Sequence, residues 1–365
     1  MNRHTTRTTW RSIGLLAVAA LLPGCAGYGP SIMPDDRLGY TMAVARSLEE
    51  QLLLNIVRLR YGEAPSFVDV SSIVAGYEYV REGSLSGEAH INNGADSFIS
   101  PSLGLRLTEK PTVTYSPLSG EGFARTVVAP IPPHMILLLL QSGWSADGIL
   151  NMSVRSISGY RNRFARMGGN MPPDPEFARI THLLRVLQDS GAVDFSVREN
   201  KDGSKDQEPA KTRPRTIFLT LRASADAPTR SAVDELRTLL GTTGSGEIAI
   251  SVGLLKPNDG SVSLYTFSLF QMLIAQSRNV EVPAGLTRIG PPAPDDGHKT
   301  PTISVHSGRD RPKTATTAVP YGGHWYWIDG DDAESRVTLM AMTMLYRLLE
   351  SDAPGNLPVL TIPAG

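Results

Sequence analysis

The chain has little cysteine: one, Cys25, in 365 residues. No internal disulfide is available, so the fold must rest on its apolar core. Local chemical signatures are missing too. There is no G-x-S-x-G elbow, no H-E-x-x-H, no P-loop, no G-x-G-x-x-G after a strand and no C-x-x-C. The histidines His90, His134, His182, His298, His306 and His324 stand far apart, and none has a metal-ligand partner four residues on. These absences point away from an enzyme and leave no cofactor or metal to expect, although triads and paired carboxylates assembled from distant residues need no local signature. Charge is short as well: 35 basic against 36 acidic residues offer no global field for nucleic acid or an anionic surface. No apolar run reaches the ~20 residues of a membrane helix.

What is present begins at the N-terminus. MNRHTTRTTWR holds three arginines and no acid, and Ile13 to Leu22 is almost wholly apolar. That is the charged and apolar make-up of a secretory signal peptide, over residues 1–24. Removing it leaves 32 basic against 36 acidic residues.

Leu22-Pro23-Gly24-Cys25 resembles the lipobox of bacterial lipoprotein precursors. The resemblance implies that Cys25 takes a diacylglycerol through its thiol, becomes the first residue of the mature chain and is then acylated. Several acyl chains, at ~0.8 kcal/mol per buried methylene, anchor firmly. Ala26 stands where an aspartate would imply retention in the inner membrane, so the implied address is the outer membrane, with a periplasmic body.

Residues 25–39, punctuated by glycine and proline, read as a lipidated tether. Helical spacing of Leu48, Leu52, Ile56 and Leu59 predicts a helix over 40–61, closed by Gly62. Strands are expected in 66–91 and 105–117, with a loop over 90–102. Helices are expected from 133, from Ser145 to Ile157, and from Asp174 to Gly191 with Phe177, Ile180, Leu183, Leu184 and Leu187 on one face. VDFSVREN and RTIFLTLR read as the arms of a long hairpin around the charged tip 201–214. Next come a helix over 229–240, a strand at EIAISVG, a helix over 264–277, a proline-rich loop at 290–299, strands at PTISVHS and HWYWID, a helix over 333–350 and a strand at PVLTI. In the last helix Val337, Met340, Ala341, Met344, Leu345 and Leu348 form one stripe, and Asp331 with Glu334 is a capping-box pattern. The expected class is α+β: helices on one face of a mainly antiparallel or mixed sheet, in parts 40–190 and 191–365 or one continuous domain.

Three stretches carry candidate surfaces. In HWYWID, Trp325 and Trp327 share one strand face, with Asp329 and Asp331 close behind. Indoles beside carboxylates are what a glycan-binding surface needs; the competing reading is a core strand followed by a turn and a helix start. In SVRSISGYRNRFARMGG, Arg155, Arg161, Arg163 and Arg166 occur with no acid between them, a pattern suited to phosphate groups of lipid or an acidic partner. The competing reading pairs them with acids distant in sequence. Arg58, Arg60 and Tyr61 flank a helix end, where cations favour the dipole and need no further role.

QLLLNIVRLRYGEAPSFVDVSS, PTVTYSPLSGEGFAR, SGWSADGIL and the ending from WYWIDGDD to PVLTIPAG are together similar to a group of predicted Gram-negative lipoproteins of uncharacterised activity. That likeness supports the lipoprotein reading and carries over no catalytic residue or ligand. The expected function is a non-enzymatic outer-membrane lipoprotein, an interaction or assembly module of an envelope system, held by its lipid and meeting protein partners but no nucleic acid. The alternative is a binding protein or enzyme for cell-wall or capsular polysaccharide.

Overall fold

The computed structural model describes residues 28–74, 77–87, 99–109, 112–166, 169–199, 215–222, 226–243, 246–255, 257, 260–290 and 302–351. Two compact units divide between Ser47 and Leu48. Helix α1, Tyr28–Arg60, runs across that division. It starts twelve residues before the expected position, so the described part of the glycine- and proline-bearing segment is helical, with Pro34 inside it.

In the larger unit, Leu52, Ile56 and Leu59 of α1 are buried together with Leu53 and Val57. Two antiparallel pairs follow, β1 (Val68–Val74) with β4 (Thr112–Pro117) and β2 (Tyr77–Gly87) with β3 (Ile99–Glu109). The expected strand over 105–117 is thus two strands with different partners, and the loop expected to 102 ends where β3 starts at Ile99. The four-residue helix α2 (Gly120–Phe123) passes into a π-helical turn, Ala124–Val128.

Helices α3 (Pro133–Gln141) and α4 (Ala146–Ser153) come next. The helix expected to reach Ile157 stops at Ser153, because β-branched Val154 and Ile157 pair as strand β5, Val154–Ile157. Ser158, at φ 48°, and Gly159, at φ 85°, make a two-residue turn into β6, Tyr160–Arg161. Positive φ at both central positions is what a tight hairpin of this twist requires. A small pair, β7 (Phe164–Arg166) and β8 (Gly169–Met171), precedes α5, Pro175–Asp189. All five residues expected on the inner face of α5 are buried.

The hairpin expected from 193 to 222 is present as β9 (Val193–Glu199) and β10 (Arg215–Leu221), in register from Val193 opposite Leu221 to Glu199 opposite Arg215. Its charged tip lies outside the described residues. Helix α6, Ala227–Leu240, is capped by Asp226, whose carboxylate accepts from the Thr229 amide at 3.0 Å. Then follow β11 (Ile248–Val252), β12 (Val262–Thr266) and α7 (Leu269–Ser277). A helix over 264–277 is corrected here: Leu264 belongs to a strand, and α7 opens at a capping box between Ser268 and Gln271.

Six strands form one sheet in the order β6-β5-β12-β11-β10-β9, antiparallel except for β11 with β12. Ile157, Leu264, Val262, Ile248, Ile217, Leu219 and Leu221 point into the core, covered by α3, α5 and, beyond α5, α6. The sheet draws strands from both sides of residue 190.

A second, three-stranded sheet has the order β13-β15-β14, from His306–Gly308, His324–Asp329 and Ala315–Tyr321. The strand expected over PTISVHS is confined to its end, since Val305 only bridges Val280. Helix α8 (Ala333–Ser351) ends the described chain, and the strand expected at PVLTI lies outside the described residues. Its buried face is Leu339, Met342, Leu345, Tyr346 and Leu349, whereas Val337, Met340 and Met344 are exposed. Of the stripe expected from the sequence, Ala341 and Leu345 are buried and Leu348 packs against the core, while Val337, Met340 and Met344 face outward, because α8 is apolar on two sides. The class is α+β, with mainly antiparallel sheets, and no described helix is long and apolar enough to cross a membrane.

Candidate binding face on the three-stranded sheet

Gly322 and Gly323, with φ of 56° and 77°, close the two-residue turn that joins β14 to β15. Antiparallel register then sorts the side chains. Tyr326 and Ile328 turn inward opposite Val319 and Thr317, and both are fully buried. Trp325, Trp327 and Asp329 turn outward. Trp325 sits between Gly308 on β13 and Pro320 on β14, and Trp327 between His306 and Ala318.

Both indoles are half-buried. The six-membered ring of Trp327 lies over Gly308, where a Cβ would approach Cη2 to 3.1 Å and Cζ3 to 3.2 Å. Its Nε1 donates to Asp329 Oδ1 at 2.8 Å. The His306 ring is 5.9 Å from that of Trp327 and stands between two carboxylates, Nε2 at 3.3 Å from Asp329 and Nδ1 at 3.6 Å from Glu281. The Arg311 guanidinium lies 5.5 Å above the Trp325 ring. Two indoles, two carboxylates, an imidazole and a guanidinium therefore share one solvent face.

The inner side fixes that face. Tyr326 bonds Tyr61 through their hydroxyls at 2.5 Å, and Tyr61 stacks on Tyr321 at 5.2 Å. Tyr321 donates to Glu63 at 2.7 Å, and its hydroxyl is pushed up to about 12, chiefly by burial. Burial also raises Tyr326. Both phenols thus stay neutral at any physiological pH, and their hydrogen bonds anchor the sheet to the end of α1.

Other candidate residues fare differently. Asp331 is exposed in the turn before α8, and the cap is Asp332, which accepts from the Ser335 amide at 3.0 Å, in place of the expected Asp331 and Glu334 pair. Of the arginines, Arg161 makes a forked contact to Asp174 at 3.2 and 3.0 Å, which holds the Asp174 carboxyl below its usual range. Arg155 lies 4.5 Å over Phe164 and 5.7 Å over Tyr265. The Arg163 Nε is buried, and the Arg166 side chain lies outside the described residues. Arg60, read as a helix-end cation, is instead buried and donates to the carbonyls of Ile289 and Gly290 at 3.2 and 3.4 Å.

Sequence reading missed His306 and Gly308, which reach the indoles only through strand pairing, and Glu281, which reaches His306. The Gly322-Gly323 pair was the available signal, since it predicts a strand on each side. Among the described residues, no group of three or more His, Cys, Asp or Glu could hold a metal ion. No family model, curated protein or solved structure matches the chain.

Proposed function

We propose that this is an outer-membrane lipoprotein, acylated at Cys25, whose body is a non-enzymatic interaction or assembly module of the cell envelope. The observation that carries the reading is Leu22-Pro23-Gly24-Cys25, the only thiol of the chain set directly behind the apolar run Ile13 to Leu22. A thiol there has a chemical use in lipid attachment, and several acyl chains hold a protein far more tightly than one. The α+β body supports the module reading by placing an aromatic and polar face on a short rigid sheet. Envelope proteins are the partners such a module would meet.

Fractionation with and without the thiol tests the reading. Wild-type protein is expected in outer membranes after a high-salt wash, with the diacylglycerol mass on an N-terminal peptide that begins at Cys25. Cys25→Ser protein is expected to leave that fraction. If it stays, the anchor assignment is wrong. Purification from detergent-solubilised envelopes should then bring down partners in fixed ratio.

A further inference from the structure

We infer that the outer face of β15 is a glycan-binding platform, on which Trp325 and Trp327 stack against neighbouring pyranose rings while Asp329 and His306 bond their hydroxyls. The inference rests on the envelope-module reading and names the ligand class of that module.

Three observations carry it. The first is spacing: indoles two residues apart on one strand lie on the same face about 7 Å apart, a separation that lets one chain of rings touch both. The second is clearance. Their cross-strand neighbours are Gly308 and Pro320 for Trp325, and His306 and Ala318 for Trp327, none of them a long aliphatic side chain, and the Arg311 guanidinium lies 5.5 Å over Trp325. The indole of Trp327 is held in place by Asp329 and by its seat on Gly308, so a ligand meets a ring that is already ordered.

The third is charge. Asp329 and Glu281 supply acceptors and Arg311 a cationic donor, with the His306 ring between the two carboxylates, so the groups named on this face carry no excess of cations. That complements a neutral polyhydroxyl chain, whose C–H face is weakly positive toward an indole and whose edge both gives and accepts hydrogen bonds. An anionic lipid surface or polymer would require an excess of cations, which this face lacks. Asp329 Oδ1 is occupied by Trp327, but its other oxygen and Glu281 lie at the half-exposed rim.

The test is calorimetric titration of the full chain in detergent with two neutral probes, an N-acetylglucosamine tetramer representing a cell-wall strand and dextran representing a capsular glucan. Binding of either supports the platform, and the preferred probe identifies the source. Trp327→Ala and Trp325→Ala are each expected to weaken binding at least about tenfold. Trp327→Phe, which keeps a ring over Gly308, should lose less, and it replaces the alanine variant if that one melts early. Binding of neither probe, or binding unchanged in the double Trp325→Ala, Trp327→Ala variant, overturns the inference. Membrane fractionation of the wild-type chain separates the two readings: no glycan binding by a chain that stays in outer membranes sinks the platform alone, and tryptophan-dependent glycan binding by a chain that a high-salt wash removes from them sinks the lipoprotein alone.

Discussion

The edge of the six-stranded sheet at β5 and β6 and the outer face of β15 are both short antiparallel surfaces with large polar or aromatic groups, yet their interactions end in different places. At the first, the fork of Arg161 closes on Asp174, and the guanidinium of Arg155 lies over Phe164 and Tyr265. At the second, the indoles hold their positions through Gly308, Asp329 and Arg311 and still present half-open rings. The difference follows from the side chains. An arginine on three methylenes can swing to an acid or ring elsewhere in the chain, so a basic run in sequence is readily spent within the fold. An indole has two torsions, and once strand register aims it outward it has nowhere else to go.

The largest way to break this comparison acts from beneath the platform. Tyr326 is fully buried, packs edge-on against Tyr61 and Tyr321, and bonds the Tyr61 hydroxyl. Tyr326→Ala should cost about 3–5 kcal/mol, as removal of a buried aromatic does. Denaturant midpoints measure it. A loss under about 1 kcal/mol would mean that β15 is not seated on the core as described.

A smaller change acts from above. Gly308→Val places a branched side chain where a Cβ alone would meet the Trp327 ring at 3.1 Å. Either the indole or the β13 backbone must shift, with an overpacking cost of about 1–3 kcal/mol. Indole fluorescence should change and the strand should persist in circular dichroism. An unchanged spectrum would show that Trp327 does not rest on Gly308.

How much of this was legible in the sequence depends on distance along the chain. The inner face of α5 was readable because its five apolar residues follow one helical period, and the hairpin of β9 and β10 because Val, Ile and Phe alternate on both arms. Boundaries failed where two elements abut without a breaker: Ser153 passes directly into β5, and β12 runs into α7 with only Phe267 and Ser268 between. The phase of α8 was only half legible: Ala341, Leu345 and Leu348 do pack inward, but Val337, Met340 and Met344 supply a second apolar stripe that hid Leu339, Met342, Tyr346 and Leu349. Of the candidate site, Trp325, Trp327 and Asp329 were visible from alternation within one strand. His306 and Gly308 were not, since cross-strand register has no local trace.

The arginine side of the comparison can be broken through pH. Arg161 holds Asp174 below the usual carboxylate range, so the stability from that contact is present above about pH 4 and disappears as pH falls through the lowered value. Asp174→Ala should cost about 1 kcal/mol at pH 7 and less at pH 3. Glu350 provides the opposite sign. Partial desolvation and the neighbouring Asp69 push its carboxyl up to about 7, so the folded state holds that proton more tightly than the unfolded chain. This contribution is fully present below about pH 4 and is lost as pH rises toward 7, so Glu350→Gln should flatten the stability profile between pH 5 and 8. Two denaturation series across pH would distinguish the slopes, and equal slopes for wild type and Glu350→Gln would contradict the raised carboxyl.

The smallest effect belongs to a surface that is exposed without being built. Val337, Met340 and Met344 leave 50%, 47% and 38% of their area open along α8, and no polar group orders them as Asp329 orders Trp327. Met340→Gln removes one of them at a position that is 47% exposed, so stability should stay within about 0.5 kcal/mol of wild type. Glycan titration should be equally unmoved, because α8 lies beyond the turn at Asp331 and adds nothing to the outward face of β15. Met342→Ala, two residues on and fully buried, should cost about 2–5 kcal/mol in the same assay. The pair fixes the phase of α8 directly: if Met340→Gln proved the costlier change, the side of Val337, Met340 and Met344 would be the packed one, and that of Met342 and Leu349 the open one.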